Sequence, residues 1–278
     1  MTAAVAAVTA AFATLVAAGK GEPPAVTRII DDLRQCTLVD DAVCRGLPAR
    51  LAAYGDPAVS ALAKAFSSLP QAAQLLGVVG VTQVESPAAT RALVSLAHCP
   101  SLVVRSLILT SLGDRPGKDV DKCLCDALTD AEPHVRATAA EAIGKSKTKR
   151  DAKSVLPALV KASTDPVDAV SVTALESLGL IGDPSVVPAL IAALGSTKLH
   201  VKRTALFAVR FLGDRRAIPA VIELVKEDED ELGRDAAATL RKLTGVEFGA
   251  DYALWRRWWR ANGGAATPTR ATKGGRRP

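Results

Sequence analysis

One pattern constrains this chain more than any other: the same short segment returns at a fixed interval over more than half of its length. Residues 201–214 align without a gap with residues 170–183, at an offset of 31. A further step of 31 residues reaches 232–245, and the same offset relates 104–113 to 135–144. Repeats of this length are typical of solenoids, in which neighbouring supersecondary units share one continuous core.

Proline and glycine mark the boundaries inside each repeat. Pro157, Pro188 and Pro219 recur every 31 residues, and proline is tolerated in the first turn of a helix, where the amide has no intrahelical partner. The second half of the repeat ends in Gly-Asp at Gly182 and again at Gly213. Glycine closes a helix and aspartate caps the next element. The pattern predicts an all-α solenoid (superhelix) of helical hairpins, each with a first helix A and a second helix B.

The repeat also divides the chain into regions. Between Val135 and Val170 the spacing widens to 35, which predicts a four-residue insertion in the lysine-rich stretch 145–153. The first part of the chain has helical patterns without this spacing. We therefore predict divergent N-terminal helical repeats or a cap over 1–85, five repeats over 86–245, a Trp-rich C-terminal capping helix over 246–262 and a disordered basic tail over 263–278.

The repeats resemble HEAT repeats, especially the short bacterial kind also seen in proteins of the phycobilisome lyase type. The resemblance lies in the run 212–221 and in the Asp-x-x-x-x-Val-Arg motif of 130–136. Residues 244–249, followed by the tryptophans of 255–259, look like the closing segment of many bacterial HEAT-repeat proteins. The resemblance implies a HEAT-like solenoid. It also leaves bilin lyase-like and DNA glycosylase-like activities open as alternatives.

Charge is concentrated at the C-terminal end. The formal net charge is +6, and residues 246–278 hold seven basic against two acidic side chains, so the repeats are almost neutral. A neutral array argues against a phosphate-binding groove along it, because such binding depends on excess positive charge. A nucleic acid or an acidic partner would instead contact the C-terminal set Arg256, Arg257, Arg260, Arg270, Lys273, Arg276 and Arg277.

Basic side chains also recur at equivalent positions of the repeats. Arg105, Arg136 and Lys202 form one such column. A structural role is favoured for it, with pairing to acidic residues of the turns between repeats, and Asp130 is the expected partner of Arg136. The Trp-Arg segment can likewise stack on bases or sit at a membrane surface, but covering the exposed face of the last repeat explains the same tryptophans.

The favoured function is that of a non-catalytic scaffold or adaptor that binds a protein partner along the solenoid surface. No nucleophile elbow, phosphate loop or paired His/Glu motif is present in the sequence. No cofactor is predicted. No metal site is predicted either, because Cys123-Leu124-Cys125 lacks the usual spacing of a zinc half-site. The expected partner-binding residues are Arg203, Leu206, Phe207, Arg210, Arg234 and Arg241.

Cysteine content and the N-terminal stretch bear on location. Five cysteines without clustering favour reduced thiols in a cytoplasm. Residues 1–18 are apolar and Ala-rich and fit an amphipathic first helix, with a cleaved signal as the alternative. A signal normally begins with a positive region, and no Lys or Arg precedes Lys20. The sequence predicts no transmembrane segment.

Overall fold

The computed structural model describes most of the chain: residues 24–37, 42–148, 150–226 and 231–263, with the backbone alone at 42 and 43. The helix or signal expected at 1–18 lies outside the described residues. Within them, the regular elements are all helices, which confirms the predicted all-α class. None of these helices has the length and apolar character needed to span a bilayer. The chain forms two compact units, one ending at Cys123 and the other beginning at Leu124.

Unit 1 is built from short helices packed side by side. The elements are α1 Pro24–Gln35, α2 Ala42–Arg45, α3 Leu47–Tyr54, α4 Asp56–Ala65, a 3₁₀ turn Phe66–Ser68, α5 Gln71–Thr82, α6 Pro87–Leu96 and α7 Leu102–Gly113. Helices α3, α5 and α7 form one row of neighbours, α4 and α6 form another, and α1 packs against α3, α4 and α5. Helix α8, Lys118–Ala127, crosses the boundary between the units.

A disulfide joins the end of α1 to α2 in unit 1. Cys36 and Cys44 are bonded, with their Cα atoms 5.9 Å apart, a separation that a disulfide readily spans. The expectation that all five cysteines are reduced is therefore wrong for this pair. Sequence spacing could not reveal the bond, because it depends on how closely Cys36 and Cys44 approach in the fold. Disulfides persist in oxidising surroundings, so the argument from cysteine content for a cytoplasm no longer holds.

Arg115 ties two repeats of unit 1 together. It follows α7, and its Nη2 donates to the backbone oxygens of Thr82 at 3.1 Å and Val84 at 3.0 Å, where α5 ends. Its Nη1 donates to Thr90 Oγ1 at 3.1 Å on α6. The last carbonyls of a helix lack intrahelical donors, so a guanidinium satisfies them well. Burial lowers the pKa of Arg115 from its ordinary value.

Unit 2 repeats the A–B hairpin in a regular order. The elements are α9 Pro133–Gly144, α10 Ala152–Ala162, α11 Asp168–Ile181, α12 Val187–Leu194, α13 Leu199–Leu212, α14 Ile218–Leu224, α15 Leu232–Thr244 and α16 Tyr252–Asn262, with 3₁₀ turns Pro184–Val186 and Arg215–Ala217. The B helices α9, α11, α13 and α15 pack in a continuous row, and the A helices α10, α12 and α14 each pack on the B helix that follows.

The predicted punctuation by Gly-Asp is confirmed in two consecutive repeats. Gly182 and Gly213 end α11 and α13 in the left-handed conformation, with φ of 71° and 72°. Asp183 then accepts a hydrogen bond from Ser185 N at 2.8 Å, and Asp214 accepts one from the next turn in the same way. Each pair therefore stops one helix and caps the next element, which sets the hairpin length.

The predicted role of proline holds for two of the three repeats. Pro188 and Pro219 lie in the first turn of α12 and α14, as expected. Pro157 instead lies inside α10, which begins at Ala152 after the Asp151 cap. The prediction for Pro157 is wrong because the helix starts earlier in this repeat. In the other two repeats, the residues before the helix form a 3₁₀ turn.

The B helices of unit 2 approach most closely at small residues. A Cβ added to Gly144 of α9 would lie 2.6 Å from the Cα of Ser177 on α11, far inside van der Waals contact. The Ser177 hydroxyl donates to the backbone oxygen of Ala140 across this contact, at 2.8 Å. Gly179 of α11 meets Ala208 of α13 in the same way, with 2.9 Å to the alanine Cβ. Gly144 and Gly179 occupy equivalent repeat positions, so the close approach is itself repeated.

We expect Gly144→Val to destabilise unit 2 by about 2 kcal/mol, because the neighbouring group is backbone and cannot rotate away. Chemical denaturation followed by circular dichroism measures the change. Gly195→Ala is the matched control, since its φ of −84° suits alanine and an added Cβ meets nothing nearer than 3.4 Å. Equal stability of Gly144→Val and the wild type would show that the B helices do not need this contact.

Candidate protein-binding face

Helix α13 leaves two phenylalanines on its surface. Phe207 is 63% exposed and Phe211 is 58% exposed. Phe211 is four positions after Phe207, so the two side chains lie one above the other on the same helix face. The opposite face packs into the core through Val201, Ala205 and Val209. Isolated exposed apolar residues are common on protein surfaces, whereas two exposed aromatic rings on one side of a helix place more apolar area together, as interaction sites do.

Leu206 does not belong to this face. It is 3% exposed and lies in the core of unit 2, so the prediction that it contacts a partner is wrong. Neighbouring residues of a helix point about 100° apart, so Leu206 faces the core while Phe207 faces solvent. Phe211, which was not predicted, replaces it on the face. The four-residue spacing from Phe207 was the signal that could have identified it.

The predicted arginines surround the phenylalanines on α13 and continue onto α15. All four are exposed: Arg203, Arg210, Arg234 and Arg241. Arg234 pairs with Glu231 at 2.9 Å and Arg241 with Glu247 at 3.1 Å, and all four side chains are more than 60% exposed. Such pairs contribute only about 0–1 kcal/mol and exchange readily for other partners. Arg210 forms no ion pair within the described part of the chain.

The preceding repeats carry different residues at the same positions. Glu176 of α11 and Glu141 of α9 stand where α13 has Phe207, and both are exposed. Leu180, 48% exposed, stands where α13 has Phe211. The exposed residue at the Phe207 position therefore changes along unit 2, from glutamate on α9 and α11 to phenylalanine on α13, and exposed arginines follow on α13 and α15. We call the surface formed by the exposed side chains of α9, α11, α13 and α15 the B-helix face.

Arg136 has a structural partner rather than a ligand-binding role. Its Nε lies 2.7 Å from Asp165 Oδ2 and its Nη2 lies 3.0 Å from Asp165 Oδ1, a bidentate pair in which both side chains are largely buried. Asp130 accepts from Nη1 through its backbone oxygen at 2.9 Å. Asp130 is thus a partner of Arg136 through its backbone, as expected, while the paired carboxylate comes from Asp165 in the turn of the next repeat. The hydrogen bonds from Arg136 lower the pKa of Asp165.

Arg105, in unit 1, also binds the backbone of a turn. Its Nη1 donates to the carbonyl oxygens of Cys99 and Pro100, both at 3.0 Å. The third member of this column, Lys202, is half-buried on α13. The backbone contacts of Arg105 and Arg136 support the structural role that the sequence favoured for this column of basic residues.

The Trp-Arg segment forms helix α16, which packs on α14. Trp255 is fully buried, and its ring meets Phe248 edge-on with the centroids 5.0 Å apart. Its indole Nε1 donates to the backbone oxygen of Gly249 at 2.8 Å. Asp251 caps the helix by accepting from Leu254 N at 2.9 Å. One of the three tryptophan rings of the segment is therefore turned fully inward, which favours a covering role over base stacking.

Polar contacts join α16 to α14. The Tyr252 hydroxyl lies 3.1 Å from Glu223 Oε1 and accepts from Arg256 Nη1 at 2.7 Å. Lys226 lies over the Tyr252 ring, 4.3 Å from its centroid. Of the other residues predicted to contact nucleic acid or an acidic partner, Arg257 and Arg260 are exposed, while Arg270, Lys273, Arg276 and Arg277 lie outside the described residues.

No cluster of three or more His, Cys, Asp or Glu side chains that could hold a metal ion occurs in the described ranges. Cys99 and Cys123 are buried and Cys125 is partly buried. Burial raises the pKa of the Cys99 thiol. A raised pKa makes a thiol less reactive, which fits a packing role for Cys99.

The repeats match a family model described as HEAT repeats over residues 90–175 and again over 156–241. The two matches together cover more than half of the chain. The chain belongs to the HEAT-repeat family. Its matched region takes in every repeat from α6 to the B helix α15, including the B-helix face. A search of curated protein sequences gives no match.

Solved structures resemble this HEAT-repeat protein only distantly. An engineered protein matches 78% of this chain and 68% of its own length, at 20% identity and a TM-score of 0.47. A designed armadillo repeat protein in complex with the peptide (KR)4 matches 80% of this chain and 100% of its own, at 15% identity and 0.45. Human deoxyhypusine hydroxylase in complex with glycerol matches 67% of this chain and 73% of its own, at 20% identity and 0.40. Likeness at this level carries no information on function.

We expect Asp165→Asn to destabilise unit 2 by about 3 kcal/mol near neutral pH, because the largely buried Arg136 loses its counter-charge. The pKa of Asp165 is lowered in the folded state. Its contribution is therefore full above the ordinary Asp pKa of about 3.9 and is lost as the pH falls through the lowered value. The stability gap between variant and wild type should narrow below about pH 4. Urea titrations at several pH values measure it, and a gap independent of pH would contradict the ion-pair role.

We expect Trp255→Ala to cost about 3 kcal/mol or more, since it removes a fully buried ring and its hydrogen bond to Gly249. Leu254→Ala, at a neighbouring position that is 42% exposed, is the control and should change stability by less than about 0.5 kcal/mol. Thermal unfolding compares the two variants. Equal melting temperatures would show that α16 does not stabilise the repeats beneath it.

Proposed function

We propose that this HEAT-repeat protein is a non-catalytic scaffold or adaptor that holds a protein partner on the B-helix face of unit 2. The observation that carries the proposal is the exposure of Phe207 and Phe211 on one side of α13. Exposing two aromatic rings to water costs solubility, and docking against a partner removes that cost. Aromatic and arginine side chains are also the types most enriched among residues that dominate binding energy at interfaces.

The carboxylates with shifted pKa support a non-catalytic role. Perturbed pKa values often cluster at catalytic sites. Here, the lowered pKa of Asp183 arises chiefly from the backbone hydrogen bond of Ser185 in a helix cap, and that of Asp214 chiefly from the hydrogen-bonded side chain of Arg216. That of Asp165 arises chiefly from its hydrogen bonds with Arg136. Each of these three groups performs a structural task in a repeat boundary.

A displayed library of random 12-residue peptides tests this proposal. We expect selection on the wild-type protein to enrich peptides that then fail to bind Phe207→Ser/Phe211→Ser. Both rings are exposed, so the double variant should keep the wild-type stability to within about 1 kcal/mol, which thermal unfolding verifies. Val103→Ser, at a 55% exposed apolar position of unit 1, is the matched control and should bind the enriched peptides normally.

This test asks only whether binding of the enriched peptides requires the two phenylalanines, whatever amino acids the peptides contain. Enrichment that survives the double variant would place binding elsewhere on the chain. Selection that enriches nothing would contradict peptide binding on the B-helix face.

A further inference from the structure

We infer that the partner segment is acidic, with apolar side chains beside its carboxylates, and that it binds with the carboxylates over α13 and α15. The inference rests on the proposed function, because it names the chemistry of the partner for the same face. It follows from three features of the face: the aromatic pair, the exposed guanidinium groups beside it, and the acidic side chains of the two preceding repeats.

The phenylalanines set the apolar part of the partner. Phe207 and Phe211 lie one helical turn apart and point to the same side of α13. Leu180, at the Phe211 position of the neighbouring α11, extends the apolar surface toward the preceding repeat. A segment that presents apolar side chains at a similar spacing can cover these rings and remove them from water.

The arginines set the charge of the partner. Arg210 is three positions after Phe207 and so lies on the same side of α13. It forms no ion pair within the described ranges, and nothing in its own repeat neutralises it there. Arg234 and Arg241 of α15 are held only by highly exposed ion pairs, with Glu231 and Glu247. A carboxylate beside an apolar anchor can therefore pair with Arg210 and displace weak contacts on α15.

The exposed glutamates on the B-helix face favour a protein partner over a nucleic acid. Glu141 and Glu176 occupy the Phe207 position in the two preceding repeats, and both are exposed. Glu141 is paired with Lys145 at 2.5 Å, whereas Glu176 makes no ion pair with the described residues. A continuous polyphosphate along the row would meet these carboxylates, and phosphate binding requires a surplus of positive charge. A peptide can place its carboxylates over α13 and α15 alone.

Defined peptides test the inference by fluorescence anisotropy with the full chain. The main probe is a fluorescein-labelled 14-residue peptide of Leu, Glu and Ala, with leucines one helical turn apart and glutamates next to them. In two matched peptides, lysine replaces every glutamate or serine replaces every leucine. A fluorescein-labelled dT20 oligonucleotide is the nucleic-acid arm. We expect the Leu-Glu peptide to bind at least tenfold more tightly than any of the other three probes.

Variants then assign the binding to the face. Arg203→Gln/Arg210→Gln should weaken the Leu-Glu peptide about tenfold and flatten its dependence on salt. Phe207→Ser/Phe211→Ser should weaken it by a similar factor and leave the salt dependence in place. Arg45→Gln/Arg91→Gln removes the same charge from exposed positions of unit 1 and should leave the affinity within about twofold.

Several results would overturn the inference. Equal binding of the lysine peptide, or no effect of the arginine substitutions on the Leu-Glu peptide, would show that carboxylates are not recognised. Tighter binding of dT20 that depends on Arg203 and Arg210 would assign the face to nucleic acid. Library selection that enriches face-dependent peptides without acidic residues would leave the scaffold function in place and refute the acidic partner.

Discussion

Each helical hairpin of this protein has an apolar side that it cannot bury alone, and the rest of the structure follows from the contacts that neighbouring hairpins make to cover it. In unit 2 the contact is closest between B helices, where Gly144 lies against Ser177 and Gly179 against Ala208. Close packing of this kind needs small residues at one repeat position. The ion pair between Arg136 and Asp165 adds a polar link between the turns of successive repeats.

The repeat position of Gly144 and Gly179 has a different role in the later B helices of unit 2. Glycine stands there in α9 and α11, but the position holds Arg210 in α13 and Arg241 in α15, and both arginines are exposed. Phe207 and Phe211 appear on the surface in the same repeat that exchanges glycine for Arg210. The part of unit 2 that no longer relies on the glycine contact is thus the part that presents aromatic and basic side chains. Helix α13 does both tasks: Ala208 meets Gly179 of the preceding B helix, while Phe207 and Arg210 lie on the surface that we propose for the partner.

The HEAT-repeat matches end within α15, and a tryptophan-rich helix follows. Helix α16 supplies a fully buried tryptophan that contacts Phe248 and donates to the backbone of Gly249. Covering the preceding repeat is the role that we propose for this helix, because large rings can bury an exposed apolar face. Arg256 is compatible with this role, because its side chain is exposed and binds Tyr252.

The sequence by itself determined the all-α repeat architecture, the Gly-Asp boundaries at Gly182 and Gly213, and the first-turn prolines Pro188 and Pro219. These features depend on local backbone preferences, which a residue carries wherever it stands in a fold. Only the tertiary structure decided that Leu206 faces the core while Phe211 faces solvent, that Arg136 takes its carboxylate from Asp165, and that Cys36 bonds to Cys44. Each of these depends on which neighbour a helix meets and at what rotation, and that is settled by packing between elements far apart in sequence.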